Sequence, residues 1–175
     1  MPNKPAPTIR PLSKSEIPLL DAHLDVDRLA GRHDDRFAQQ RDGCLTYLIA
    51  WLDGIPIGHT MVRWTGTTDA YVADRISDFA HVAHVEDLFV MPHLRSYGIG
   101  TRILAEAERL AVSRDFTQIG LAVGIDNPRA RALYERLGYA DTGIGEFQIG
   151  GTFHDRHGIR REWREVCEYL IKPLP

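Results

Sequence analysis

The stretch Val85–Gly100, VEDLFVMPHLRSYGIG, decides how this chain folds. It reads as an apolar strand, a short turn carrying Pro92, and a glycine-punctuated helix start. A helix that begins there leaves its first backbone N–H groups without intrahelical partners, and its dipole favours an anion at that end. Gly98 and Gly100 remove side chains where backbone must approach phosphates, and Arg95 adds a cation nearby. The segment is therefore suited to a pyrophosphate. Two other nucleotide loops do not fit. A G-x-G-x-x-G fingerprint needs its third glycine where Ile103 stands, and a P-loop needs Gly-Lys-Ser/Thr where Gly100 is followed by Thr101 and Arg102.

A second segment, Leu121–Tyr139, reads LAVGIDNPRARALYERLGY. Asn127-Pro128 opens a helix with proline in its first turn, Ala130, Leu133, Tyr134 and Leu137 share a face, and Gly138 ends it. In this order the two segments resemble the cofactor-binding motifs of the GNAT superfamily, the acetyl-CoA-dependent N-acetyltransferases. The V-E-D-L-F-V run is most similar to that of spermidine/spermine acetyltransferases. The resemblance covers roughly Ile9 to Lys172, with specific motifs only in Val85–Tyr139. It implies an α/β fold, a mixed, mostly antiparallel central sheet splayed at the cofactor site and flanked by helices.

Outward from these motifs, Gln118–Val123 is an apolar strand. Leu45–Leu52 and Ile55–Trp64 are strands around Asp53-Gly54, a strong hairpin signal. Thr8–Leu12 reads as a first strand. Ser13 or Ser15 caps a helix expected to run to about Leu29, and His33–Gly43 reads as a second helix or a loop over the site. Thr65–His81 is a polar connection, Gly143–Glu162 a Gly-rich hairpin extension, and Trp163–Ile171 a closing strand. The mixed order of strands and helices is not a strict βα alternation.

At 175 residues, the expectation is one domain over residues 1–175, with a Pro-rich leader, 1–7, that frays. The net charge of −3 argues against a nucleic-acid partner. No apolar run approaches a membrane span, and MPNKPAPTIRPL lacks a signal-peptide core. Two cysteines, Cys44 and Cys167, give neither a disulfide framework nor a metal spacing, so a cytoplasmic protein is expected. His154 and His157 lack a third ligand nearby in sequence, and no metal is expected.

Acyl transfer to an amine needs a held thioester, a base for the amine and an acid for the departing thiolate. A free alkylamine is mostly protonated, its reference pKa being about 10.4, and attacks only after losing a proton. Glu86 is the leading base, by its resemblance to the Glu of the polyamine enzymes; Asp87 matches the acidic residue after it and joins Glu86 as a holder of a cationic substrate. His84 is the rival base, on the same strand face as Glu86. Tyr134 lies seven residues after Asn127, nearly two helical turns, so both project from one side. The resemblance makes Tyr134 the general acid at the CoA sulfur and Asn127 a contact of the pantetheine arm. Arg95, Ser96, Tyr97, Gly98, Ile99, Gly100 and Thr101 are expected to wrap the pyrophosphate, although relatives often have Gly at the place of Ser96. Leu88, Phe89 and Val90 are expected along the pantetheine, with Arg129, Arg131 and Arg102 as candidates for the outer phosphate. Trp163 is a candidate pocket wall.

The expected function is transfer of acetyl from acetyl-CoA to a primary amine of a small cationic molecule. The alternatives are a protein or peptide N-acetyltransferase, acting on an N-terminus or a lysine, and a non-catalytic acyl-CoA-binding module. Coverage of the groove by Gly143–Glu162 would favour small molecules. Dimers are common in the superfamily that the chain resembles, so a homodimer is an assembly that the resemblance allows, alongside a monomer.

Overall fold

The computed structural model describes residues 6–25 and 27–175; most of the leader expected to fray, residues 1–5, lies outside the described residues, as does Val26. Eight strands form one sheet: β1 (Thr8–Pro11), β2 (Leu45–Leu52), β3 (Ile55–Arg63), β4 (Val82–Val90), β5 (Gln118–Gly124), β6 (Ala140–Asp141), β7 (Phe147–His154) and β8 (Arg160–Pro173). The spatial order is β1-β2-β3-β4-β5-β8-β6, with β7 also paired to β8. Among the described residues only β4 and β5 run parallel; all other pairs are antiparallel. The mixed, mostly antiparallel sheet is the one expected.

Among the described residues five helices flank it: α1 (Ile17–His23), α2 (Arg32–Arg41), α3 (Ala70–Ala73), α4 (Ile99–Val112) and α5 (Pro128–Arg136). Ile99, Ile103, Leu104, Ala107 and Ala111 recur at helical spacing on α4 and are all buried. Leu104, Ala107 and Ala111 join Val85, Leu121 and Tyr134 in one core, while Leu20, Leu24, Tyr47, Ile49 and Met61 form another beneath α1 and α2. Each fully buried Leu or Ile stabilises the fold by about 1.5–3 kcal/mol. In the β2–β3 hairpin, Asp53 and Gly54 both have positive φ, 50° and 78°, as a tight turn with right-handed strand twist requires.

Three expectations give way to tertiary contacts. The first helix stops at His23 after a 3₁₀ turn, Lys14–Glu16, rather than reaching Leu29. The following segment leaves the helix to pair with the tip of the β7–β8 hairpin, where Arg28 bridges Asp155 and Leu29 N–H donates to His154 O at 3.2 Å. Thr65–His81 is not featureless: Asp69 caps α3 by accepting from Val72 N–H, and Phe79–His81 forms a 3₁₀ turn. The closing strand starts at Arg160, since its first half is extended by pairing with β7 from His154 to Phe147.

The feature that positions the site is the divergence of β4 from β5. Their pairing runs from Val82 against Gln118 to Val85 against Leu121 and then stops. On the other edge of β4, Met61 pairs with Glu86 and His59 with Phe89, so Asp87 and Leu88 together oppose Thr60. This bulge, with Asp87 at φ 54°, bends β4 away and opens a wedge in the sheet.

Candidate active site

The wedge holds two cavities that share a wall. The first, about 440 Å³, is lined by Leu88 and Val90 of β4, the turn Leu94–Ser96, the start of α4 from Gly98 to Thr101, and Asn127, Arg129, Ala130, Leu133, Tyr134 and Arg136 of the α5 segment. The second, about 740 Å³, extends from His84–Leu88 across β5 to Gln148, Trp163 and Glu165, with Arg28, Arg32 and Arg36 also lining it. Leu88, Asn127, Ala130 and Tyr134 line both. A group bridging the two cavities must pass these residues.

The first cavity has the chemistry of an anion cradle. No side chain caps α4, and its first backbone bond runs from Arg102 N–H to Gly98 O, so the N–H groups of Ile99, Gly100 and Thr101 have no partner within the helix. Ser96 and Gly98, at φ 70° and 80°, coil the turn in the left-handed region, which costs the serine about 1–2 kcal/mol. Arg129 Nη2 donates to Ser96 Oγ at 2.9 Å, tying α5 to this turn. Arg95 Nε donates to Val90 O at 2.9 Å, bracing the chain between β4 and α4. Gly100 leaves open the space that a side chain would fill beside Leu133 and Leu88. Unbonded N–H groups with guanidinium groups around them fit the phosphates of a CoA thioester.

Most of the cofactor residues expected from sequence line this cavity, but Phe89, Tyr97, Arg102 and Arg131 do not. Phe89 turns to the other face of the sheet and stacks on His59, with centroids 5.4 Å apart, and Tyr97 is 55% exposed outside the lining. Arg131 is held by Glu135 at 2.8 Å, Asp141 at 3.4 Å and Glu168, and Arg102 does not line the cavity. Arg136 does line it and was missed. It occupies the last turn of α5, where no motif position marks it.

At the shared wall, Asn127 Oδ1 accepts from Ala130 N–H at 3.1 Å, capping α5 and leaving its amide N–H groups as donors. Burial, and then the charge of Glu165, push the Tyr134 hydroxyl up to about 12, so it stays protonated and able to donate.

In the second cavity Glu86 is gripped by Arg63, which donates from Nε at 3.0 Å and Nη2 at 3.1 Å to its two carboxylate oxygens. His84 shares the face of Glu86 as alternation requires, its Nε2 3.6 Å from Glu86 Oε1. Its Nδ1 pairs with Tyr169 Oη at 2.9 Å, and burial pushes the imidazole down to about 4, partly offset by Glu86. At neutral pH it is a neutral ring. Asp87 accepts from Arg32 at 2.5 Å and from Arg36. Burial pulls its carboxyl upward, and neighbouring His59, Arg36 and Arg32 overcome it, leaving the pKa at about 2. Asp87 is therefore an ion-paired strut between β4 and α2, an arrangement that no local pattern announces.

Trp163 lines the second cavity from β8, as expected, beside Glu165, which sequence reading did not single out. The Arg28–Asp155 bridge, with Arg156 N–H donating to Asp27 O at 3.1 Å, fastens the β7–β8 hairpin to the α1–α2 connection at one side of this cavity. Among the described residues, no group of His, Cys, Asp and Glu has a metal-binding arrangement, and no helix is long and apolar enough to cross a membrane.

A family model for the acetyltransferase (GNAT) family matches residues 13–139. N-alpha-acetyltransferase 40 of Saccharomyces cerevisiae is 29% identical over 161 residues, covering 81% of this chain and 56% of that protein. Thialysine N-epsilon-acetyltransferase of Mus musculus is 40% identical over 58 residues, 33% of this chain and 34% of that protein. The chain thus matches just over half of the first relative's length and about a third of the second's. The fold is similar to that of a phosphinothricin acetyltransferase from Sinorhizobium meliloti solved with acetyl-CoA, at a TM-score of 0.67 and 18% identity over 96% of this chain and 88% of that one. A ribosomal-protein-alanine N-acetyltransferase from Brucella melitensis superposes at 0.63 with 20% identity, covering 95% and 99%.

Proposed function

The chain belongs to the GNAT acetyltransferase family, and we propose that it moves acetyl from acetyl-CoA to a primary amine of a small molecule whose amine arrives protonated, as an ammonium. The observation that carries this reading is the pair of cavities meeting at Leu88, Asn127, Ala130 and Tyr134. One is a cradle for phosphates; the other has room and charge for an acceptor.

Acetyl-CoA would supply the activated acyl group as a thioester. The N–H groups of Ile99, Gly100 and Thr101 hold its pyrophosphate, with Arg129 and Arg136 adding positive charge, and Leu88, Val90 and Asn127 guide the pantetheine arm. Glu86 takes a proton from the acceptor ammonium, directly or through a water, and frees the nitrogen lone pair for attack. Arg63 fixes the Glu86 carboxylate while leaving lone pairs free to accept. The nitrogen bonds to the thioester carbon, the carbon–sulfur bond breaks, Tyr134 gives its hydroxyl proton to the departing sulfur, and the second proton shed by the nitrogen as it becomes an amide restores the hydroxyl.

The fastening of the β7–β8 hairpin to the α1–α2 connection supports a small acceptor, since a long peptide needs an open trough. Calorimetric titration with acetyl-CoA followed by thiol-release assays on small amines and on peptides tests the reading. Binding with turnover of small amines is expected. Turnover confined to peptides would overturn the acceptor class, and binding without any turnover would leave a CoA-binding module.

A further inference from the structure

We infer that the acceptor carries a carboxylate as well as its amine and spans the second cavity as a zwitterion; the inference rests on the acetyl-transfer reading above. The cavity is lined by groups of opposite sign on its two sides. On the α2 side stand Arg28, Arg32 and Arg36. Among the described residues only Asp25 and Asp87 pair with these three: Asp25 with Arg28 at 3.5 Å and Arg32 at 2.9 Å, Asp87 with Arg32 at 2.5 Å and with Arg36. Three guanidinium groups against two carboxylates leave one positive charge over. The neighbouring His33 and His59 are buried neutral rings and neither add to it nor cancel it.

Arg28 holds that excess. Its guanidinium lies 4.0 Å over the Phe153 ring and makes no hydrogen bond among the described residues. Burial and the adjacent Arg32 both press on its charge. A planar fork with free donors, backed by an aromatic face and crowded by another cation, is a receptor for a planar carboxylate. It sits on the segment bridged to Asp155, so the closure that shapes the cavity also positions its cation.

The β5–β8 side is anionic. Glu165 and Asp69 line it, and neither forms an ion pair among the described residues. The Glu165 carboxylate lies over Gly124, where any side chain would displace it, and its charge reaches Tyr134. Tyr134 marks the junction with the first cavity, so the ammonium end belongs here and the carboxylate end at Arg28. An acceptor with one charge alone would leave one side of the cavity unmatched.

The test uses matched sets of ω-amino acids of graded length, their primary amides and the corresponding unsubstituted alkylamines. Binding to the CoA-saturated protein is read by calorimetry, and turnover by thiol release with acetyl-CoA. At one chain length the acid is expected to bind roughly tenfold to a hundredfold tighter than its amide, the range of a charge-assisted hydrogen-bonded pair. Arg28→Met should bring the acid-to-amide ratio toward one. Amides or alkylamines binding as well as the acids throughout the series, or no binding of any set, would overturn the inference even if acetyl transfer to some other amine stands. Preferred binding of the acids without acetylation would make the second cavity a site for zwitterions but sink the transferase reading, and with it their role as acceptors. Should Arg28→Met fail to fold, the wild-type acid-to-amide ratio decides.

Discussion

The Arg63 guanidinium grips both carboxylate oxygens of Glu86, donating from Nε at 3.0 Å and from Nη2 at 3.1 Å. The base in the proposed reaction is thus held from the neighbouring strand β3, by a residue whose own register partner is His84, two positions before Glu86. Glu86→Gln should lower kcat/KM by about a hundredfold at neutral pH, the lower end of general acid–base effects. The deficit should narrow as pH rises toward the amine pKa of about 10.4, where free amine needs no base. Initial rates across pH check this; a variant profile parallel to wild type would remove Glu86 from the role.

Tyr134→Phe keeps the ring in the core and deletes only the proton donor. kcat should fall by roughly tenfold to a hundredfold while the Kd for acetyl-CoA changes little. Since the hydroxyl pKa stands at about 12, wild-type rates should show no loss from Tyr134 ionisation in the neutral to mildly alkaline range. Calorimetry paired with thiol release separates the two quantities. Equal losses in binding and turnover would make the tyrosine a packing residue.

Gly98 lies at φ 80° with open space around it, so alanine there meets no neighbour and suffers only the left-handed backbone. Gly98→Ala should cost about 1–2 kcal/mol in stability and weaken acetyl-CoA by about tenfold through distortion of the turn. Denaturant midpoints and calorimetry read the two effects. Unchanged affinity would detach this turn from the cofactor.

Three buried imidazoles predict acid sensitivity. Burial holds His33 at about 4, His59 at about 3 and His84 at about 4. Their unfolded value is about 6.5, so below that pH the unfolded chain binds protons that the folded chain refuses. Stability is full above that value and falls with pH, by up to about 1.4 kcal/mol per pH unit for each histidine, until the folded forms titrate. Urea midpoints measured from neutral to about pH 5 should drop steeply, and His84→Gln should flatten the slope by about a third. A flat midpoint across this window would contradict the buried, neutral assignment.

Much of the fold was legible because it rests on local signals. The Asp53-Gly54 turn, the buried stripe of α4 and the Asn127-Pro128 start of α5 each depend on backbone conformation within a few residues. The end of α1 was not legible, since Leu24 to Leu29 follows helical periodicity until the β7–β8 hairpin offers backbone partners from over a hundred residues away in sequence. Ordinary alternation along β4 puts Leu88 and Val90 on the face that lines the first cavity and Phe89 on the other, whereas the bulge at Asp87 and Leu88 that bends the strand is set by no pattern in the sequence.

Sequence alone carried the resemblance to the family, with its expectation of a splayed sheet, and marked the glycine turn before α4 and the start of α5, because glycines, proline and capping residues act on their own stretch of chain. Tertiary structure alone decided what the acidic pair at 86 and 87 faces. Glu86 meets Arg63, while Asp87 meets Arg32 and Arg36, 55 and 51 residues distant along the chain. The charge at a site is a sum over whatever the fold brings within a few ångströms, and that sum is not a property of any one segment.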